Sequence, residues 1–442
     1  MTRYPEAGVA KTRLAASIGE ERAARLHSDI ARHCVRRMHA VSLSGDVELE
    51  VRATGARPSR VRAWLGRAVP VRDQGDGDLG ARLARAIQSA LAEGAPAAIA
   101  VGSDAPEVGG PHVREARAAL QRADVVLGPA TDGGYYLIGV SERSGSRAVP
   151  ALLGGTIPWG SARVLEETRA AADRADLEVH LLGEAADIDL AEDLGIWDRI
   201  VDEQRRAARQ PHVSAVIAAL DEEAGIADAV RSARAARIDE VVVADGGSTD
   251  ATKERAEMAG AVVVDSPPGR ARQLNAGSAH ATGDVLLLLH ADSRLPATAV
   301  DDIRDALADP DVVLGGFEFS TGDPTRTRDR LMSWVGRTRH RIFGLPYGDQ
   351  GQFVRRIDFE DLGGIPEMPT MEDYEFALRC RALGKLTVAS SRLWTSARAW
   401  DEHGVLKVAA VNSAVIVGYR VGVDTQTLAA WRSAIGGARE SR

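Results

Sequence analysis

Apolar and polar positions alternate at two periods along this chain, and the alternation occurs twice. In the first 200 residues "AAIAVGSD" and "DVVLGPATDGGYYLIGV" read as strands, whereas "GARLARAIQSALAEG" spaces Leu83, Ile87 and Leu91 along one face of a helix. Beyond residue 212 the pattern returns: "VSAVIAAL", "IDEVVVADGGSTD", "AVVVDSP" and "DVLLLLHADS" read as strands between helical stretches such as "EEAGIADAVRSARA". Strand and helix in turn predict an α/β architecture, a mostly parallel sheet with helices on both faces. The polar, Arg-rich stretch "RIVDEQRRAARQPHV" separates the two regions. It predicts a first domain over 1–200, a linker over 201–212 and a second domain over 213–442. The length of 442 residues fits this division, since single cores rarely grow beyond about 250–300 residues.

Both halves carry an apolar strand that ends on a small residue and then an aspartate, with proline nearby: Asp104 in "AIAVGSDAPEV" and Asp292 in "LLLLHADSRLP". In open α/β sheets ligands sit beyond the carboxyl ends of strands, where a side chain leaves the core without losing its water. A carboxylate there suits Mg²⁺ or Mn²⁺ beside a diphosphate, because hard cations take oxygen ligands. The alternative is an aspartate that only caps the next helix. In the second half Asp245 ends "VVVAD" before Gly246 and Gly247, where it can accept bonds from a base or ribose edge. In "PPGRARQLNAG", Arg270 and Arg272 stand two apart beside glycine-rich turns, where guanidinium forks can meet diphosphate oxygens; otherwise the stretch is a solvated basic loop.

The ordered series "VIAALDEEAGI", "VVVADGGSTD", "GRARQLNAG", "LLLLHADS", "GLPYGDQGQFVRR" and "MEDYEFALRCRALG", over about 213–425, resembles a family 2 glycosyltransferase of GT-A fold. "YGDQGQFVRR", "MEDYEF" and "TSARAW" resemble, more narrowly, the bacterial transferases associated with radical-SAM/selenodomain or arsenosugar-biosynthesis systems. The resemblance implies that Glu222 and Asp245 contact the nucleoside, Arg272 the diphosphate and Asp292 the metal. The family's usual Asp-X-Asp is here His290-Ala291-Asp292, one carboxylate fewer. Inverting transfer needs a carboxylate to take the acceptor's proton and a cation to hold the leaving diphosphate. "MEDYEF" supplies adjacent Glu372 and Asp373, and the matched motif favours Asp373 as the base. Asp349 and Gln350, in a Gly-rich loop before a strand, are expected to contact the sugar or the acceptor, unless the turn only shapes that loop.

The chain opens with "TRYPEAGVAKTRL", where Arg3, Lys11 and Arg13 surround Pro5 and Gly8 in a loop suited to wrapping a triphosphate. Together with "QGDGDLGARL", "VGSDAPEV", "GPATDGGYYLIG", "IPWGS" and "DIDLAEDL", over about 1–195, it resembles the DUF2064 family, a nucleotidyltransferase-like GT-A group. The resemblance implies phosphate binding by Lys11 and Arg13, a metal at Asp104 and Asp189, and a substrate contact at Asp132. It departs in one respect: family members carry an apolar first strand before this loop, and here the chain begins at the loop. Either the true start lies upstream or the first domain lacks a central strand.

The expected protein is thus two GT-A-like, Rossmann-like nucleotide-diphospho-sugar transferase domains in tandem. The second moves a sugar to a small-molecule or lipid acceptor, and the first forms the donor. Rival readings are a nucleotide-sugar-binding or scaffold protein with a degenerate first domain, or two transferases in series. Charge and cysteine content narrow the setting. A net charge of -8, from 63 acidic and 55 basic residues, offers no basic field for nucleic acid. Only Cys34 and Cys380 are present and no signal peptide is apparent, which points to the cytoplasm. The longest apolar run, "VLKVAAVNSAVIVGYRVGV", is broken by Lys407, Asn412, Ser413 and Arg420 and predicts a buried or interfacial helix, compatible with peripheral membrane contact, rather than a span.

Overall fold

The computed structural model describes residues 1–66, 69–155, 157–322, 329–330, 332–334, 344–396 and 404–433, with backbone alone at 405 and 406. It divides into two compact units, Met1–Asp202 and Glu203–Arg442. The segment expected as a linker lies largely in a helix, Leu194–Arg209.

In the second unit seven strands form one sheet, in the order Val262–Asp265, Glu240–Asp245, Val213–Ala219, Val285–His290, Gln352–Arg355, Val312–Thr321 and Lys385–Thr395. Gln352–Arg355 runs antiparallel to both neighbours, and the other adjacent pairs are parallel. The central run "VLLLL" is apolar at every position because both faces are covered. Val285, Leu287 and Leu289 join a core with Ile226, Val230 and Ile303, while Leu286 and Leu288 are buried on the other side. There the helix Arg270–His280 comes close, since a Cβ on Gly277 would sit 2.5 Å from Val216 Cγ1. Burial of each such leucine contributes about 1.5–3 kcal/mol.

The first unit has two sheets. Thr2–Arg3, Val51–Thr54 and Val71–Asp73 pair in parallel; Ala97–Val101, Tyr135–Ser141, Val125–Pro129 and Val179–Leu181 form the other, in that order. Thr2–Arg3 therefore occupies the first-strand position as a two-residue stub, and the Ser103 hydroxyl donates to Thr2 Oγ1 across the gap between the sheets (2.8 Å). Numbered within each unit, the strands run 3-2-1 and 4-6-5-7 in the first and 3-2-1-4-6-5-7 in the second, with the same antiparallel sixth strand. Each unit thus repeats one topology, and the first differs in the break beside its two-residue first strand. The stretch "DVVLGPATDGGYYLIGV", read as one strand, is a hairpin. Its turn needs Gly133 at φ 85°, where a Cβ would lie 2.1 Å from the Ala162 carbonyl oxygen.

Candidate functional site

Register places the second unit's site. Ala219 pairs with Asp245, and Ala218 with His290, so three parallel strands end along one edge. Asp245 is fully buried. Its Oδ2 accepts bonds from the Gly247 and Ser248 N–H groups (2.9 Å each) and lies 3.5 Å from Lys253 Nζ, whereas Oδ1 is buried with no hydrogen-bond partner. A carboxylate oxygen left without a donor at a strand end has the chemistry to accept one from a ligand. Gln273, passed over in the sequence, braces this edge by donating from Nε2 to the Ala219 and Ala244 carbonyls (2.6 and 3.1 Å).

Glu222 lies half-buried in the loop after Val213–Ala219, its N–H donating to Thr252 Oγ1 (2.8 Å). Beside it Asp221, at φ 52°, accepts from the Thr249 N–H (2.8 Å), knitting this loop to the one after Asp245. Asp292 is half-buried two residues past the strand end, and Gly225 packs against it: a Cβ there would sit 3.5 Å from Asp292 Cα.

Arg270 and Arg272 do not lie in a loop. They occupy the first turn of the helix Arg270–His280, behind Gly269 at φ 124°. Arg272 pairs at the surface with Glu367 (3.0 Å), and Arg270 Nη1 lies 3.3 Å from Glu372 Oε1, a carboxylate only 7% exposed. Glu372 and Asp373 open the helix Glu372–Leu383 after Met371, held at φ 69°, and they diverge as neighbours on a helix start do. Asp373 Oδ2 accepts from the Gly348 N–H (2.7 Å) and Oδ1 from the Tyr374 N–H (2.8 Å). A Cβ on Gly348 would lie 2.9 Å from Asp373 Oδ2 and 3.2 Å from His290 Nε2, so the acidic motif and the end of the central strand converge on this glycine.

Asp349 is half-buried, and its carbonyl accepts from Thr395 Oγ1 (3.3 Å). Gln350 departs from expectation as a ligand contact. It is fully buried, and its amide donates to the Phe317 carbonyl (2.9 Å) and accepts from the Tyr347 N–H (3.0 Å), so it shapes the loop. Of "TSARAW", residues 397–400 lie outside the described residues. The run "VLKVAAVNSAVIVGYR" forms a helix, Val405–Arg420, and no helix among the described residues is long and apolar enough to cross a membrane.

The first unit holds a cavity of about 470 Å³ lined by Lys11, Arg13, Asp104, Asp132, Asp187 and Asp189, a volume that suits a nucleotide-sized ligand. Asp104, Asp187 and Asp189 can each bring a carboxylate oxygen within 4.8 Å of the others, the spacing of a divalent-cation site. Asp187 was missed in the sequence. The signal was the alternation of "DID": Ile188 is buried, its N–H donates to the Asp104 carbonyl (3.1 Å), and the two flanking carboxylates turn to the same side. Lys11 Nζ lies among them, 3.1 Å from Asp104 and 2.5 Å from Asp189. Burial alone would lower the Lys11 pKa, but Asp104 and Asp189 outweigh it and hold it above the ordinary lysine value. Lys11 in turn holds Asp104 below the usual carboxylate range against the effect of burial. Asp187 is pushed up to about 6, first by burial and then by Asp104, Asp132 and Asp189. Arg13, 61% exposed, reaches Asp189 at 3.9 Å. Asp132 is exposed at the hairpin turn, where Oδ1 accepts from the Gly134 N–H (2.8 Å). Arg3 lines the cavity from the stub strand.

Parts of the chain resemble known proteins. The glycosyltransferase AglJ of Haloferax volcanii is 32% identical over 140 residues, 31% of this chain and 43% of that protein, so the chain spans less than half of the curated relative's length. A putative nucleotide-diphospho-sugar transferase from Desulfovibrio desulfuricans G20 is 33% identical, with 46% of this chain and 87% of that one covered and a TM-score of 0.40. The glucosyl-3-phosphoglycerate synthase of Mycobacterium tuberculosis, crystallised with Mn²⁺, uridine diphosphate and phosphoglyceric acid, is 21% identical over 51% of this chain and 83% of that one, with a TM-score of 0.37. Residues 37–161 match the model of an uncharacterized protein family conserved in bacteria, DUF2064, and residues 214–361 match glycosyl transferase family 2. The chain joins a DUF2064 domain to a family 2 glycosyl transferase domain.

Proposed function

We propose that the second unit transfers a sugar, with inversion, from a nucleoside-diphosphate donor to a small-molecule or lipid acceptor, and that the first unit forms such a donor from a nucleoside triphosphate and a phosphorylated sugar. The observation that carries the transferase reading is the shared sheet edge: Asp245, the strand leading to Asp292, and Asp373 beside Gly348 all meet the ends of adjacent strands. In this reading Asp245 Oδ1 and Glu222 receive the nucleoside. Arg270, Arg272 and the N–H groups at the start of their helix face the diphosphate, where a helix N-terminus favours negative charge. Asp373, oriented by the Gly348 and Tyr374 N–H groups, takes the acceptor's proton. Glu372 holds Arg270.

A carboxylate at Asp292 fits Mg²⁺ or Mn²⁺, which would neutralise charge on the leaving diphosphate. Among the described residues no second and third ligand complete a cluster there, so the donor's own phosphates supply further oxygens. The three-carboxylate group of the first unit fits such an ion by itself, and this supports an active first unit over a degenerate one. The test for the second unit is calorimetry of nucleoside-diphosphate and nucleotide-sugar binding with and without Mn²⁺. Asp292→Asn should abolish the Mn²⁺-dependent part of the affinity with an unchanged circular dichroism spectrum. Wild-type affinity in the variant refutes the assignment.

A further inference from the structure

The cations expected to meet phosphate in the first unit are already engaged. Lys11, 7% exposed, is held between Asp104 and Asp189, and Arg13 reaches Asp189 and, at 3.4 Å, the Gly160 carbonyl. A different cation stands ready. Arg82 lies one turn into the helix Leu79–Ala92 and lines the same cavity. Its Nε is shielded from water and has no acceptor, and no carboxylate or carbonyl pairs with its guanidinium among the described residues. The next arginine on this helix is spent differently: Arg85 donates to the Gln74 carbonyl and, at 2.9 Å, to the Asp76 carbonyl, closing the loop that carries Gly75 and Gly77. Asp78 caps the helix by accepting from the Ala81 N–H. Of the charged side chains at this helix start, one caps it, one locks the loop, and Arg82 is left facing the cavity.

A guanidinium cannot shed its charge, and a shielded N–H without an acceptor is costly unless a ligand supplies one. A planar fork with several donors matches phosphate oxygens. Arg3, which also lacks an acidic partner among the described residues, lines the same cavity, and Tyr135 and Trp159, their rings 6.2 Å apart, form part of its wall.

We propose that Arg82 is the anion-binding residue of the first unit's cavity, taking a phosphate group of the ligand, while Lys11 serves the carboxylate cluster. The inference rests on the reading of the first unit as a site for phosphorylated ligands. The phosphate comes either from a nucleoside triphosphate or from a phosphorylated sugar.

The experiment titrates the intact chain, with Mg²⁺ and with EDTA, against inorganic pyrophosphate, the four common nucleoside triphosphates and glucose 1-phosphate. Because Arg82 belongs to the first unit, any component of binding lost on changing it reports on that unit. Arg82→Gln should weaken at least one probe about 10- to 100-fold, the loss of a charge-assisted contact. Arg82→Lys, which keeps the charge and loses the fork, should recover part of the affinity; it also carries the test should the glutamine variant fail to fold. Loss confined to pyrophosphate and triphosphates places Arg82 on the nucleotide, and loss confined to glucose 1-phosphate places it on the sugar phosphate. Wild-type affinity for every probe in both variants overturns the assignment to Arg82 alone. A wild-type chain that binds none of the probes, with or without Mg²⁺, overturns the phosphate reading of the unit and this inference with it.

Discussion

Replacing Lys11 by Met keeps the alkyl stem and removes the ammonium from among Asp104, Asp187 and Asp189. Breaking a buried ion pair by deleting one partner costs about 3–5 kcal/mol. Here only the lysine is deeply buried, at 7% exposure, whereas the Asp104 and Asp189 side chains are 39% and 33% exposed and can regain water. Solvent screening therefore reduces the figure to roughly 2 kcal/mol. For a unit of this size 1 kcal/mol moves the midpoint by about 2–4 °C, so the first unit's transition should fall by about 4–8 °C. Mn²⁺ should reverse the loss. An ion at one hundred times its dissociation constant stabilises by about 2.7 kcal/mol, and in the variant it no longer competes with an ammonium for the same oxygens. Differential scanning calorimetry of the intact chain in EDTA and in Mn²⁺ reads both effects, treating the two units' transitions separately. The variant should be less stable than wild type in EDTA and gain more from Mn²⁺ than wild type does. Equal stability in EDTA, or no gain from Mn²⁺ in the variant, refutes the account of Lys11 as the cluster's resident counter-charge.

In single-turnover kinetics Asp373→Asn should slow the chemical step by roughly 10²–10⁴ with donor affinity nearly constant, whereas Glu372→Gln should act mainly on donor binding through Arg270; a reversed pattern moves the base to Glu372. Glu240 accepts bonds from Ser214 Oγ (2.6 Å) and the Thr282 N–H (2.7 Å), which outweigh burial and lower its pKa below the ordinary 4.5. Its contribution to stability is therefore present above pH 4.5 and lost as pH falls through the lower folded value. Glu240→Gln should flatten that acid limb in pH-dependent unfolding of the second unit, and an unchanged limb would show that the bonds contribute nothing.

Strand and helix were legible in the sequence because burial on both faces writes continuous apolar runs such as "VLLLL", and helical burial spaces Leu83 and Ile87 one turn apart. The strand-end aspartates were legible for the same reason: a buried run stops where its strand stops, so an aspartate at or just past it lies at the strand's carboxyl end, Asp104 and Asp292 half-buried and Asp245 fully buried. Local pattern could not supply pairing order, since the 3-2-1-4-6-5-7 arrangement depends on contacts between distant segments, such as Val213 with Val285 and Val312 with Lys385. A two-residue strand such as Thr2–Arg3 has no period to detect, whereas the hairpin turn at Gly133 did carry a local signal, the polar run Thr131-Asp132-Gly133-Gly134 between two apolar runs. Tertiary structure alone decided which charges meet. Lys11 and Asp189, 178 residues apart, form one pair, and Arg270 and Glu372 another. Gln350 carries the same side chain whether it faces a ligand or a carbonyl, and only folding turns it to Phe317. Sequence fixes the chemistry each residue offers, and the fold's long-range packing determines which partner takes it up, leaving Asp245 Oδ1 and Arg82 without one among the described residues.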